Sequence, residues 1–196
     1  MDKITAIILA GGGSRRMGQD KALLMYRGKP LVQHVYDQLN GLFPEIILSA
    51  NDPEKFQFLD VKVVPDRLTD QGPLVAIASA LAESTTEYNF VIACDIPELD
   101  FALFDQLLQA VKGHECAVPM TGLGRYEPLF GVYRKSMTPH LERLIENGVR
   151  AMKEALGHCR TGLVPIDDDR LKNLNTPEDY AAACDANDAG ATNAAS

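Results

Sequence analysis

A run of glycines and three cations follows the first apolar segment of the chain, and together they could hold phosphate groups. Residues Ile4–Leu9 form an apolar run of strand length and composition. The chain then continues as AGGGSRRMGQDK from Ala10 to Lys21. Glycines let backbone N–H groups converge on an anion, and the cations Arg15, Arg16 and Lys21 neutralise its charge. The pattern predicts a phosphate loop at the carboxyl end of a strand.

Two well-known phosphate loops do not fit this stretch. The dinucleotide fingerprint G-x-G-x-x-G would need a third glycine where the chain has Arg16. Walker spacing is met by Gly13 and Gly18, but Gln19 and Asp20 follow in place of Lys-Ser/Thr. The sequence therefore indicates a phosphate loop of a third kind. The alternative is a plain strand-to-helix turn with a solvated basic face.

A carboxylate at a second strand end could bind a metal. Asp95 follows the largely apolar segment FVIAC and precedes Ile96-Pro97. A carboxylate in this position can hold Mg²⁺, which prefers oxygen ligands and bridges phosphates. It can equally cap a turn before the proline, and spacing alone leaves both interpretations open.

Composition limits the classes of partner. The 196 residues suit one domain, and 46% hydrophobic with 23% charged residues are ordinary values for a globular protein. A net charge of −8 disfavours a nucleic-acid surface, so the basic loop suits a small anionic ligand. The chain has no apolar run long enough for a bilayer and enters a strand without a signal peptide, so we expect no membrane partner and a cytoplasmic location. The four cysteines form no C-x-x-C pair and the four histidines show no ligand spacing, which argues against a zinc site.

The elements that must position these residues alternate between strand and helix in the first half of the chain. That alternation predicts a mostly parallel sheet with helices on both faces, whose ligands bind beyond the carboxyl ends of the strands. Strands are predicted at 4–9, 45–50, 61–64, 90–94, 116–119, 129–133, 163–166 and 172–174. Helices are predicted at 30–39, 73–82, 101–111, 136–146 and 150–156, with a last one starting at Thr176. Residues 186–196 lack the apolar side chains needed for packing and are predicted to be a disordered tail.

The stretch LAGGGSRRMGQDKALL, from Leu9 to Leu24, resembles the signature of molybdenum cofactor guanylyltransferases, which join GMP from GTP to molybdopterin. The sister cytidylyltransferases usually carry Leu-Ala-Ala-Gly where this chain has Leu9-Ala10-Gly11-Gly12. Further similar stretches continue to Tyr180. The resemblance implies a Rossmann-like three-layer α/β sandwich of the nucleotide-diphospho-sugar transferase type, in one nucleotidyltransferase domain over residues 1–185.

The resemblance also assigns roles to particular residues. It implies Lys21, Asp95 and Arg16 as catalytic residues, with Mg²⁺ on Asp95 because CDIP at 94–97 is similar to the family's Asp-x-Pro. The implied pterin contacts are Arg150, Asn173 and Asn175, and the segment RYEPLF at 125–130 resembles another pterin-side stretch. On a strand, Asn173 and Asn175 would face the same side. The implied nucleotide contacts are Leu9, Ala10, Gly11, Gly12, Gly13, Arg15, Lys21, Asp66, Gly72, Pro73 and Asp95.

The implied reaction is attack by the terminal phosphate of molybdopterin on the α-phosphorus of GTP, with release of pyrophosphate. Molybdoenzymes that receive the cofactor, or their chaperones, are candidate partners. Three alternatives stay open: a cytidylyltransferase that uses CTP, a sugar-phosphate nucleotidyltransferase, and a non-catalytic nucleotide-binding protein. The sequence also leaves open whether Arg15 and Arg16 both grip phosphates or one of them pairs instead with Asp20, and which one that is.

Overall fold

The centre of the fold is a seven-stranded mixed sheet. The computed structural model describes residues 3–11, 20–68, 72–176, 178–181 and 183. The strands of the sheet are β1 Ile4–Leu9, β4 Glu45–Ser49, β5 Lys62–Val64, β6 Tyr88–Ala93, β7 Cys116–Thr121, β8 Phe130–Arg134 and β9 Thr161–Ile166, and a separate hairpin pairs β2 Met25–Tyr26 with β3 Lys29–Pro30. The strand order in the sheet is β5-β4-β1-β6-β8-β7-β9; β8 runs antiparallel to β6 and β7, and the other pairs are parallel. The mostly parallel sheet is therefore confirmed.

Helices cover both faces of the sheet and make three layers. One face packs against α1 Leu31–Leu39 and α3 Phe101–Ala110. The other packs against α2 Pro73–Glu83, α4 Thr138–Glu146 and α5 Met152–Leu156. Both faces of β1 are buried, which explains why its sequence is apolar apart from Thr5: Ala6 and Ile8 enter the first core, whereas Ile7 and Leu9 enter the second.

The predicted strand at 172–174 is wrong. Residues 172–174 pair with no strand among the described residues. The backbone N–H of Leu174 instead donates to the carbonyl of Asp95 at 2.9 Å. The β2–β3 hairpin was not predicted; its turn carries Arg27 at φ 50° and Gly28 at φ 76°, the positive angles that tight hairpins require. The start of the last helix is confirmed, since the Thr176 hydroxyl accepts from the N–H of Asp179 at 3.0 Å.

Within the described residues, no helix combines the length and apolar character needed to cross a bilayer. The cytoplasmic location stays a prediction. The proposed tail at 186–196 lies outside the described residues.

Candidate active site

Lys21 lies at the centre of a small polar cluster. Its Nζ is 2.7 Å from Oδ2 of Asp95 and donates to Oδ1 of Asn175 at 3.2 Å. The side chains of Lys21 and Asp95 are 18% and 21% exposed, so the ion pair is largely shielded from water but still reachable. Lys21 opens a 3-10 turn, Lys21–Leu23, whose start is capped by Asp20 accepting from the N–H of Ala22 at 3.2 Å. The turn fixes where the lysine leaves the backbone.

Two adjacent parallel strands bring this cluster together. Strands β1 and β6 pair with Leu9 opposite Ala93, and the N–H of Cys94 donates to the Leu9 carbonyl at 3.1 Å. The glycine segment that follows β1 and the carboxylate that follows β6 therefore leave the same edge of the sheet. In open parallel sheets, this edge is where ligands bind.

The segment from Asn173 to Asn175 is fixed to the same edge of the sheet by the backbone of Leu174. Leu174 is buried and its N–H donates to the backbone carbonyl of Asp95, and the side chains before and after it contact different groups. Asn175 accepts from Lys21, whereas Asn173 lies beside the carboxyl group of Glu127. The segment is not a strand, but Asn173 and Asn175 flank the buried Leu174 and are both less buried than it. The Oδ1 atom of Asn173 is buried and has no hydrogen-bond partner among the described residues.

Glu127 is a site residue to which the sequence analysis assigned no role of its own. It lies in the turn before β8, at the edge of the sheet that carries Asp95. Burial raises its pKa above the ordinary value, and the negative charge of Asp95 adds to the rise, whereas Arg125 and the side-chain amide of Asn173 oppose it. A half-buried carboxyl beside a second carboxylate is an arrangement typical of cation-binding and catalytic sites.

The described start of the glycine loop is held by β4. The N–H of Ala10 donates to the carbonyl of Ser49 at 3.0 Å, and Leu9 and Ala10 are buried. Gly11 is exposed, and a Cβ there would lie 3.8 Å from the Ser49 carbonyl oxygen, which is an ordinary contact. The other predicted loop residues, Gly12, Gly13, Arg15 and Arg16, lie outside the described residues.

Asp66 lies past the end of β5 and is paired with an amide. The Nδ2 of Asn51 donates to Oδ2 of Asp66 at 3.1 Å, and the N–H of Asp66 donates to Oδ1 of Asn51 at 2.8 Å. Asn51 follows β4 directly after Ala50, and the sequence analysis did not single it out because Asn-Asp-Pro is an ordinary turn. The pair presents a fixed carboxylate and amide at the same edge of the sheet.

Gly72 and Arg150 lie next to each other at the start of α2. Gly72 has φ +89°, and a Cβ there would lie 3.2 Å from the carbonyl oxygen of Arg150. Pro73 is the first residue of the helix, which suits its fixed φ. The guanidinium of Arg150 donates to the carbonyls of Ile145, in the last turn of α4, and Val149, after the helix. The backbone of Arg150, a predicted pterin contact, therefore lies beside Gly72, a predicted nucleotide contact. Backbone carbonyls hold its guanidinium group.

A family profile matches the chain from within β1 to the segment after α5. The profile of the MobA-like NTP transferase domain matches residues 6–159, which is most of the chain. The chain belongs to this family.

Two curated relatives of this MobA-like chain span almost its whole length. A protein named probable molybdenum cofactor guanylyltransferase, from Nostoc sp., is 35% identical over 188 residues, which cover 92% of this chain and 90% of the relative. A molybdenum cofactor guanylyltransferase from Pseudomonas putida is 36% identical, over 88% and 93% of the two chains.

A solved structure supports the fold independently. The crystal structure of molybdopterin-guanine dinucleotide biosynthesis protein A from Archaeoglobus fulgidus superposes with a TM-score of 0.79 at 23% identity, covering 94% of this chain and 99% of that one. The predicted three-layer α/β sandwich of the nucleotide-diphospho-sugar transferase type is thereby confirmed.

Proposed function

We propose that this MobA-like chain transfers GMP from GTP to the terminal phosphate of molybdopterin, giving molybdopterin guanine dinucleotide and pyrophosphate. The observation that carries the proposal is the meeting of Lys21, Asp95 and Asn175 beyond the carboxyl ends of β1 and β6. It supplies a cation for phosphate and oxygen ligands for a divalent ion at one point. The names of the curated relatives support the choice of GTP and molybdopterin.

The sheet edge suggests where each substrate lies. Asn51, Asp66 and Gly72 would contact the base and ribose, since a carboxylate and an amide together match the N–H groups and oxygens of a guanine edge. From Asp66, after β5, to Asp95, after β6, there are three strand spacings, roughly 14 Å, along which an extended nucleotide can lie. Glu127 and Asn173 would border the pterin on the other side of Asp95.

The donors present fit Mg²⁺. Asp95 offers a carboxylate, Glu127 a second carboxyl, and Asn173 a buried amide oxygen that lacks a partner among the described residues. These are oxygen ligands, the kind that Mg²⁺ prefers. Asp95 is the residue that would hold the ion, and when bound it would act as a Lewis acid on the phosphates.

The residues of the chain act by positioning and by charge. The pterin phosphate is itself the nucleophile; its oxygen forms a bond to the α-phosphorus as the bond to the bridging oxygen breaks, and pyrophosphate leaves with that electron pair. Lys21 is held by Asp95 and Asn175, so its ammonium group is oriented at the sheet edge. It would stabilise the charge that grows on pyrophosphate, a contribution of roughly 3 kcal/mol for one preorganised group.

A nucleotide screen tests the function. The full chain is incubated with molybdopterin, Mg²⁺ and each of GTP, CTP, ATP and UTP, and pyrophosphate release is followed together with formation of the dinucleotide. We expect release with GTP and only background release when molybdopterin is omitted. The variant Asp95→Asn should lose at least about 99% of turnover, and Asp105→Asn, at an exposed position on α3, should keep it.

Each other outcome has a definite meaning. Preferential release with CTP would make the chain a cytidylyltransferase and would overturn the assignment of guanine. Nucleotide binding without pyrophosphate release would support a non-catalytic protein. Full turnover by Asp95→Asn would show that Asp95 is not needed for catalysis, whereas the assignment of the chain to its family would still stand.

A further inference from the structure

Three potential metal ligands meet at the opposite end of the sheet from Asp95. Glu115 directly precedes β7, His140 lies on α4, and Cys159 lies between α5 and β9. One carboxylate oxygen, one ring nitrogen and the Sγ atom all lie within 4.8 Å of one another. Because β6 and β7 run in the same direction, the start of β7 is separated from the active-site edge by the length of the strand, roughly 20 Å. The cluster is therefore independent of the nucleotide site.

The spacing of these atoms suits a small tetrahedral cation. Oε1 of Glu115 is 3.4 Å from Nδ1 of His140. Bonds of 2.0–2.3 Å to a tetrahedral Zn²⁺ place neighbouring ligand atoms roughly 3.3–3.8 Å apart. The three residues are half-buried, so the cluster is accessible without being fully solvated.

A backbone contact orients the carboxylate. Oε2 of Glu115 accepts the N–H of Arg160 at 2.9 Å, next to Cys159 in the chain. This bond occupies one carboxylate oxygen and directs the other towards His140. Outer contacts of this kind fix the ligands of metal centres in proteins.

We propose that Glu115, His140 and Cys159 form a binding site for Zn²⁺ or a cation of similar softness, with a fourth position left for water. A thiolate and an imidazole select zinc over magnesium, which binds oxygen ligands. Binding replaces the thiol proton of Cys159, which passes to solvent. The bound ion would connect the start of β7 to α4 and to the segment before β9. Ligand spacing along the sequence did not indicate the site, since the ligands are 25 and 19 positions apart and only the fold brings them together.

Cobalt spectroscopy tests the site. The full-length protein is stripped with EDTA, dialysed, supplied with a large excess of Mg²⁺ to fill oxygen-ligand sites, and titrated with Co²⁺. We expect one equivalent of Co²⁺ to give a near-ultraviolet thiolate-to-cobalt charge-transfer band that added Zn²⁺ removes. Cys159→Ser should abolish the band, and His140→Asn should weaken Co²⁺ affinity by at least about tenfold.

Two matched variants test whether the charge-transfer band comes from the Cys116 thiol or from a metal at Asp95. Cys116→Ser removes the buried thiol that lies 3.4 Å from the Thr161 hydroxyl, and Asp95→Asn alters the nucleotide site; both should keep the band. Zn²⁺ should raise the melting temperature of the stripped wild type and of Cys116→Ser, and leave that of Cys159→Ser and His140→Asn unchanged.

The proposal is overturned if the wild type gives no charge-transfer band, or if the band survives in Cys159→Ser. In either case Glu115 and His140 form only an ordinary hydrogen-bonded pair. Should Cys159→Ser fail to fold, His140→Asn decides by its affinity. Turnover of the EDTA-stripped protein in Mg²⁺ is expected to equal that of the untreated protein, so this test and the test of GMP transfer fail independently.

Discussion

At the scale of single residues, the contact between Lys21 and Asp95 joins positions 74 apart in the chain. The ammonium group compensates the carboxylate where both are largely removed from water, and the Asn175 amide holds it in one orientation. A lysine held in this way has given up most of its rotamer freedom before a ligand arrives. Such preorganisation lets it stabilise a transition state without further ordering cost.

This argument predicts the effect of removing the ammonium group. Lys21→Ala should fold like the wild type by circular dichroism and lose about a hundredfold in turnover, because one preorganised charge in a shielded site contributes roughly 3 kcal/mol. Turnover is measured by pyrophosphate release with saturating GTP and molybdopterin. Lys153→Ala, at an exposed position on α5, serves as the control. If Lys21→Ala keeps more than about a tenth of wild-type turnover, the lysine only pairs with Asp95.

At the scale of elements, β9 and the end of α3 approach too closely for any side chain. A Cβ on Gly162 would lie 2.5 Å from the carbonyl oxygen of Ala110, which is backbone and cannot rotate away. Gly162→Ala should therefore push the strand from the helix and lower the free energy of unfolding by about 1–3 kcal/mol. Urea denaturation measures the change. Gly122→Ala, where a Cβ would meet nothing within 4 Å, should be close to neutral; equal losses in both variants would contradict the packing argument.

The start of α3 predicts a dependence of stability on pH. The Asp100 carboxylate accepts the N–H of Leu103 at 2.8 Å and the Nε–H of Arg170 at 2.7 Å, and the hydrogen bond from Arg170 is the main reason that its pKa is lowered. A carboxyl whose pKa falls on folding stabilises the protein above its ordinary pKa of 3.8 and loses that contribution as the pH falls through the folded value.

Asp100→Asn keeps a capping oxygen but removes the charge, so the variant should be less stable than the wild type at pH 7 and approach it as the pH falls below about 4. Urea denaturation at a series of pH values gives the difference. In the Asp100→Asn background, Arg170→Met should no longer change the pH dependence. If the difference in the free energy of unfolding between wild type and Asp100→Asn stayed constant with pH, the ion pair of Asp100 and Arg170 would contribute nothing to the pH dependence of stability.

At the scale of the whole molecule, local sequence determined some features and only the fold determined others. The two-sided burial of β1 makes its strand evident from residue types alone, and the rule that ligands bind beyond the carboxyl ends of parallel strands predicts the glycine segment and Asp95 at one edge of the sheet. The partners of Asn173 could not be predicted, because its contact with Glu127 depends on β8 running antiparallel into the sheet. Asn51 was missed for a related reason: a turn amide becomes part of a site only where β4 and β5 end together.

Residues beyond the end of the family profile contact the candidate active site and pack in a buried cluster. The family profile ends at residue 159, yet Asn175 contacts Lys21, and Leu174 packs with Tyr26 and Leu31 in a buried cluster of its own. Tyr180 packs against the same cluster. We therefore propose that the domain extends past the profile, to residue 185.

Truncation separates these contributions. A chain ending at 185 should match the full chain in melting temperature and turnover, since residues 186–196 lack the side chains to pack. A chain ending at 172 should lose turnover and at least about 2 kcal/mol of stability, because Leu31 loses the apolar cover of Leu174. Leu174→Ala in the full chain should cost about 2–3 kcal/mol while keeping both asparagines. If Leu174→Ala loses as much turnover as the 172-residue chain, the packing of Leu174 and not the amides of Asn173 and Asn175 explains the need for this segment. If the 185-residue chain melts at a lower temperature than the full chain, residues 186–196 belong to the domain.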